Sequence, residues 1–358
     1  MSKANHCGLV LGVDHVADRI KVLIVDDSAV VREVLTAELI RDPAIQIIGT
    51  APDAYIARDK ILKLAPDVVL LDIEMPRLDG LTFLRRLMHY HPLPVIIVSS
   101  LTPPGGQLAL DAIAAGAVDV ACKPGSGLSL SEMTEMLTAK IKAAAHARCD
   151  RARPAAEAAP ARLAVGSQTR QLIAIGASTG GTQAIEQVLR SFPSDGPAIL
   201  IVQHMPAYFT ASFAQRLDKM CAMEVREAVN GDLVQPGCAL IAPGNRHMLL
   251  RRHDDKLFVQ IKDGPAVHHQ RPSIEVLFQS IVQCAAGQTA AALLTGMGTD
   301  GAQGLLALRR AGAHTIAQDA ATSVVFGMPA EAIRLGGATE VVPLHRIAEK
   351  LLGAANGE

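Results

Sequence analysis

Short aliphatic, β-branched runs alternate with longer amphipathic segments along most of this chain. That alternation restricts the fold more than any other feature. From Lys21 the strand-like pieces are Lys21–Val25, Ile45–Thr50, Val68–Leu71, Val95–Val98 and Val118–Cys122. The helix-like pieces that follow them are Val30–Ile40, Asp53–Leu64, Leu81–Tyr90, Gln107–Ala115 and Ser131–Ala145. Apolar strands that alternate with helices belong in a parallel sheet covered on both faces.

A second alternation starts at Gln171. Leu172–Ile175 precedes a Gly-rich turn and a helix near Thr182, and Ala198–Val202 precedes a helix near Thr210–Met220. Residues 237–261 read as an antiparallel hairpin, Ala239–Ala242 against Leu257–Ile261. A helix over 273–285, strand Ala291–Leu294, a helix over 301–311, and strands Thr315–Ala317 and Glu340–Val342 complete the set. The expectation is an α/β protein of two doubly wound domains, and its 358 residues suffice for two cores. Residues 143–169 are rich in Ala and Arg, and Pro154 and Pro160 would interrupt a helix there, so they read as a linker. Residues 1–19 lack periodicity and read as an extension.

Composition removes several function classes. Thirty-four basic residues against 35 acidic ones leave a net charge of −1, too little for a phosphate-neutralising surface. Trp is absent and aromatics are 3%, which disfavours a base-stacking platform, so no nucleic-acid partner is expected. No apolar run approaches the roughly 20 residues of a membrane helix, so no membrane insertion is expected. The six cysteines form no CxxC pair, and the N-terminus shows no signal pattern. Both features fit a reducing cytoplasm.

In an open parallel sheet, functional groups gather beyond the carboxyl ends of the strands. In the first half, Asp26 and Asp27 follow the first strand, Asp72 the third, Ser99 and Ser100 the fourth, and Lys123 the fifth. Three converging carboxylates repel one another, and a hard divalent cation such as Mg²⁺ relieves that repulsion through oxygen ligands. A Lys and a hydroxyl at the same edge suit a phosphoryl group on one carboxylate. A lone Asp or Ser after a strand is ordinarily a helix cap; the whole set at successive exits is not.

The same reading in the second half finds Ser178 in GASTGGT at 176–182, His204 in QHMP and Asp300 in TGMGTDG. A hydroxyl, an imidazole and a carboxylate thus leave three strands. Nucleophilic acyl transfer needs such a set: a base for the Ser proton and a carboxylate to orient the base. Glycines and free N–H groups nearby could form an oxyanion hole. The residues alone leave rivals. His247, His268 and His269 compete as base, and Asp319 competes as acid. The GASTGG turn could bind a nucleotide, though it lacks GxGxxG spacing and a P-loop Lys.

Residues 20–142 resemble the receiver domain of two-component response regulators, through VDDS at 25–28, LLDIEMPRLDG at 70–80, VSS at 98–100 and KPG at 123–125. The resemblance implies a flavodoxin-like fold with Asp72 as phospho-acceptor and Mg²⁺ at Asp26, Asp27 and Asp72. It also implies Lys123 on the phosphoryl group and Ser99 as the switch hydroxyl. Residues 170–352 resemble the catalytic domain of the chemotaxis protein-glutamate methylesterases, through IGASTGGTQAI, VQHMPAYFTASFAQRLD, LIAPGNRHM, RPSIEVLF, LTGMGTDGAQGL and TIAQDAATSVVFGMP. The resemblance implies a Rossmann-like, mainly parallel sheet with an antiparallel hairpin. It implies Ser178 as nucleophile, His204 as base, Asp300 as orienting acid, the Met297 N–H as oxyanion donor and Thr179 beside the substrate. Asp319 and the RPS segment then become structural or substrate-shaping parts of that edge. The implied partners are methyl-accepting chemoreceptors as substrate and a chemotaxis histidine kinase as phosphodonor. No cofactor is implied for ester hydrolysis. The alternatives to an esterase are a receiver-linked protein-binding adaptor and a nucleotide-binding output.

Overall fold

The computed structural model describes residues 19–76, 78–100, 103–123, 129–147 and 172–356. Nearly all of the 1–19 extension and of the 143–169 linker lies outside the described residues.

The first domain contains β1 (Ile20–Val25), α1 (Ala29–Leu39), β2 (Ile45–Ala51), α2 (Ala54–Leu64), β3 (Val68–Leu71) and α3 (Gly80–Tyr90). It continues with β4 (Val95–Ser99), α4 (Pro103–Ala114), β5 (Asp119–Cys122) and α5 (Leu130–Ala145). The sheet is parallel with order β2-β1-β3-β4-β5, which is the flavodoxin-like order. β3, β4 and β5 are buried along their whole length, as helices on both faces require. Side-chain oxygens start the helices: Ser28 caps α1, Asp53 caps α2 and Asp79 caps α3. Ser129 and Glu132 form a capping box on α5. That helix runs to Ala145.

The second domain contains β6 (Leu172–Ala177), α6 (Gly181–Leu189), β7 (Ala198–Gln203), α7 (Phe209–Asp218), β8 (Glu224–Glu227) and β9 (Cys238–Ile241). It continues with β10 (His247–His253), β11 (Lys256–Lys262), α8 (Ile274–Cys284) and β12 (Thr289–Leu293). Last come α9 (Ala302–Arg310), β13 (His314–Gln318), α10 (Met328–Arg334), β14 (Glu340–Val342) and α11 (Leu344–Asn356). Seven strands pair in the order β14-β13-β12-β6-β7-β9-β8, all parallel. Without the edge strand β8 this is the Rossmann order, and the strand order reverses between β6 and β12.

The expected hairpin of Ala239–Ala242 against Leu257–Ile261 does not form. Ala239–Ile241 belongs to β9, buried throughout between β7 and β8 in the parallel sheet. The hairpin pairs β10 with β11 in a separate sheet, from His247↔Lys262 to His253↔Lys256. A continuous apolar run signals burial on both faces, whereas the alternating 247–262 segment suits a half-exposed ribbon. The chain also continues past the last expected strand. α11 reaches Asn356 and packs on α6 and β12, burying Ile347, Leu351 and Leu352.

The two domains pack closely. One apolar cluster runs from the first sheet through α4 into the second domain, and α4 lies on α7.

Candidate active site and phospho-acceptor site

Ser178, His204 and Asp300 follow β6, β7 and β12, three adjacent strands at the point where the strand order reverses. That crevice is where open α/β sheets bind ligands. Ser178 stands on a turn laced to both neighbouring exits. Its N–H donates to Thr295 O at 3.0 Å, and its carbonyl accepts from Gly181 N at 2.7 Å and from Gln203 Nε2 at 2.8 Å. Gly180, at φ +77°, allows the turn to enter α6. Gly296 lies so close that an added Cβ would stand 2.5 Å from Ser178 Cβ.

His204 N donates to Ala177 O at 3.1 Å, which places its backbone beside the residue before Ser178. The ring is buried, and Nε2 lies 2.7 Å from Asp300 Oδ2. Nδ1 is buried without a hydrogen-bond partner among the described residues. It is therefore the ring nitrogen left to exchange a proton.

Asp300 is held from four directions. Oδ1 accepts from Ser273 Oγ at 2.8 Å and Glu275 N at 3.1 Å, and Oδ2 accepts from Ile274 N at 2.7 Å besides His204. The carboxylate thus sits at the positive end of α8. Burial pushes its pKa up, but His204, Ser273 and the Ile274 N–H together hold it below its ordinary value.

The rival residues fall into other roles. Asp319 accepts from Thr322 N and Thr322 Oγ1 and so closes its own turn. His247 bonds Pro265 O through Nε2, and its Nδ1 accepts from Ser273 N at 3.3 Å. His269 faces Glu135 of the first domain at 3.5 Å. His268 is exposed, and a ring nitrogen lies within 4.8 Å of carboxylate oxygens of Glu275 and Asp300, which are already held by other donors. The Met297 backbone N–H has no partner among the described residues, and the residue is 37% exposed. Thr179 is buried, and its hydroxyl donates to Asp119 Oδ2 of the first domain at 2.6 Å.

Sequence reasoning did not single out Thr295, Gln203, Gln318 or Asp119. Thr295 Oγ1 donates to Thr179 O at 3.0 Å and accepts from Val325 N at 2.9 Å, while Thr295 N donates to Gln318 Oε1. These buried polar groups tie the Ser178 turn to two other strand exits. Polar residues within or beside apolar strands were the available signal, since a buried polar side chain needs a partner.

In the first domain Asp26, Asp72 and Lys123 meet at one edge. Lys123 Nζ lies 2.9 Å from Asp26 Oδ2 and 2.8 Å from Asp72 Oδ2. Burial pushes the Asp26 pKa up, and the Lys123 ion pair only partly offsets this. Burial lowers the Lys123 pKa, but hydrogen bonds to Asp72 and Asp26 more than reverse it, so it lies above its ordinary value. Asp26, Asp27 and Asp72 each offer a carboxylate oxygen within 4.8 Å of the others. Three hard oxygen donors at that spacing fit a cation of the Mg²⁺ type. Ser99 Oγ is buried with no partner among the described residues, whereas Ser100 Oγ donates to Glu74 Oε2 at 3.2 Å.

The first domain contacts the second at several points, one of them the residue after Ser178. Besides the Thr179 contact, Gln183 Nε2 donates to Ile113 O at 2.9 Å, and Arg216 Nη1 donates to Asp111 Oδ1 at 3.1 Å. Arg271 Nη2 stands 3.6 Å from Glu132 Oε1.

Fold and site together define a two-domain response regulator: a receiver packed onto a Rossmann-like domain that carries Ser, His and Asp at its switch point. The chain belongs to the CheB methylesterase family, which matches residues 173–351, and the response regulator receiver domain family matches residues 22–136. It is 52% identical to protein-glutamate methylesterase/protein-glutamine glutaminase 2 of Syntrophus aciditrophicus, over 93% of this chain and 98% of that one. It is 53% identical to protein-glutamate methylesterase/protein-glutamine glutaminase 4 of Anaeromyxobacter dehalogenans, over 94% and 95%. The CheB methylesterase catalytic domain of Thermotoga maritima superposes with a TM-score of 0.50 at 36% identity, covering 51% of this chain and 98% of that domain.

Proposed function

We propose that the second domain hydrolyses glutamyl γ-methyl esters, and deamidates glutamines, on the cytoplasmic helices of chemoreceptors. The receiver governs that activity through phosphorylation of Asp72. The observation that carries the reading is the buried His204–Asp300 pair at the strand exits flanking Ser178. The activity named for relatives that align over nearly the whole chain supports the substrate class and favours an esterase over an adaptor or a nucleotide-binding output.

Ser178 Oγ attacks the ester carbonyl while His204 Nδ1 takes its proton. Asp300 holds the ring through Nε2 and stabilises the imidazolium. The developing oxyanion meets the free Met297 N–H, with Thr179 beside it. His204 returns the proton to the departing methanol. Water, deprotonated by His204, then attacks the acyl-enzyme and releases the glutamate and Ser178. Glutamine follows the same path with ammonia as leaving group.

In the receiver, Asp72 accepts the phosphoryl group from a chemotaxis histidine kinase. A Mg²⁺ ion held by Asp26, Asp27 and Asp72 would offset the clustered negative charge there. Lys123 contacts the phosphoryl oxygens and Ser99, whose hydroxyl is unengaged, reorients toward them. The contact of receiver Asp119 with Thr179, the residue after Ser178, supports inhibition by the unphosphorylated receiver. No helix among the described residues is long and apolar enough to cross a membrane. Action in the cytoplasm follows from the substrate and the phosphodonor.

Methanol release from methylated receptor membranes tests the reading. It should depend on Ser178, vanish in Ser178→Ala, and rise with a phosphodonor and Mg²⁺. Release that survives Ser178→Ala overturns the assignment of the nucleophile.

A further inference from the structure

β6 and β7 pair in register as far as Ala177↔Gln203, the last residue of each strand. Ser178 and His204 come next, so the nucleophile and the base both stand one step beyond the end of the ladder. His204 N still reaches Ala177 O at 3.1 Å. Past that bond the chains part, Ser178 into the turn before α6 and His204 toward α7. The side-chain amide of Gln203 bridges the two where they part. Its Nε2 donates to Ser178 O at 2.8 Å and to His204 O at 3.4 Å. The two hydrogens of one NH₂ group thus hold the carbonyls of both residues.

The arrangement is costly. Gln203 is 2% exposed, and its Oε1 is buried without a hydrogen-bond partner among the described residues. A buried acceptor left unmet forfeits its hydration. The amide also needs Gly181, where an added Cβ would stand 2.2 Å from Oε1. An apolar side chain would fill the end of β7 without an unmet acceptor, so the amide calls for a role that packing does not supply.

We infer that Gln203 is a positioning residue for ester hydrolysis: its amide extends the ladder by one rung and fixes the backbone of Ser178 relative to that of His204. The inference rests on the proposed reaction, whose first step passes the Ser178 proton to His204. Asp300 orients the His204 ring, whereas Gln203 sets the turn that brings Ser178 beside it.

The test uses the full-length protein, phosphorylated with a small-molecule phosphodonor and Mg²⁺. Methanol release is measured from a receptor-helix peptide carrying a glutamyl γ-methyl ester. Gln203→Met keeps the length of the side chain and loses both donors. Gln203→Asn keeps an amide but withdraws it by one methylene, and it decides the matter if the Met variant does not fold. Ser280→Ala removes a buried hydroxyl that bonds Leu250 N and Leu277 O, and it controls for destabilisation alone. Circular dichroism gives the folded fraction of each. Per folded molecule, kcat should fall about 10²-fold in the Gln203 variants, with KM within about twofold. The midpoint of the acid limb of the kcat–pH profile should stay in place, and Ser280→Ala should keep the wild-type kcat. Unchanged kcat in the Gln203 variants, an equal loss in Ser280→Ala, a change confined to KM or a displaced acid limb overturns the inference and leaves the esterase reading intact. No methanol from phosphorylated wild type refutes the esterase reading and the inference with it.

Discussion

Ser273 Oγ donates to Asp300 Oδ1 at 2.8 Å, so the residue that caps α8 also fixes the acid that orients His204. One hydroxyl serves two purposes there, and its removal should be felt in both. Ser273→Ala should cost about 1 kcal/mol of stability through the lost cap. It should also lower kcat about tenfold through the lost charge-assisted bond to Asp300. Thermal melts and steady-state kinetics on the same preparation check both numbers, and loss of stability alone would separate Ser273 from the chemistry.

The pH dependence of stability follows from the depressed pKa of Asp300. Its hydrogen-bonded carboxylate stabilises the folded protein above the ordinary value of 3.8, and that contribution is lost as the pH falls through the lower folded value. Asp300→Asn should remove it. Urea midpoints measured between about pH 5 and pH 3 should fall more steeply for wild type than for the variant. Parallel curves would mean that Asp300 carries no net linkage.

Gly296 is required by the approach of Ser178. A methyl group there meets Ser178 Cβ at 2.5 Å and Met328 Sδ at 2.7 Å. Gly296→Ala should destabilise by about 1–3 kcal/mol, as overpacking does. If Ser178 is the nucleophile proposed above, its displacement by a fraction of an ångström should lower kcat by about 10²-fold beyond any loss of folded protein. Activity per folded molecule, with folding followed by circular dichroism, is the deciding measurement.

Lys123 holds two carboxylates that otherwise repel. Lys123→Ala leaves Asp26 and Asp72 facing each other, and loss of one partner from a largely buried ion pair costs about 3 kcal/mol. Millimolar Mg²⁺ should restore part of that stability to the variant and add less to wild type. Thermal unfolding with and without Mg²⁺ measures the difference.

Arg216 of α7 meets Asp111 of α4 at the domain contact. Asp111 is more than a third exposed, so the pair is worth at most about 1 kcal/mol. Arg216→Ala should therefore raise the basal rate of the unphosphorylated protein by no more than about fivefold. A fall in basal rate would contradict occlusion by the receiver.

Much of this was legible in the chain itself. β3 is as short and apolar as its sequence, VVLL, and α1, α2, α3 and α5 each begin at a capping residue visible in the sequence. The hairpin was misplaced because Ala239–Ile241 and Leu257–Ile261 look equally strand-like in isolation. Only burial between β7 and β8 distinguishes the first of them. α11 went unread because its apolar positions gain meaning only against α6 and β12.

Strand exits and their chemistry are local properties, and so the sequence by itself determined that Ser178, His204, Asp300, Asp72 and Lys123 stand at the ends of strands. Tertiary structure decided which of them meet. It gave the Nε2 of His204, and not that of His247, to Asp300, and it set Ser273, 27 positions away, beneath the same carboxylate. It also carried Asp119 across 60 positions and a domain boundary to Thr179. Such contacts leave no periodicity in a chain, because they depend on strand order and on how two finished domains pack, and neither is encoded in the spacing of neighbouring residues.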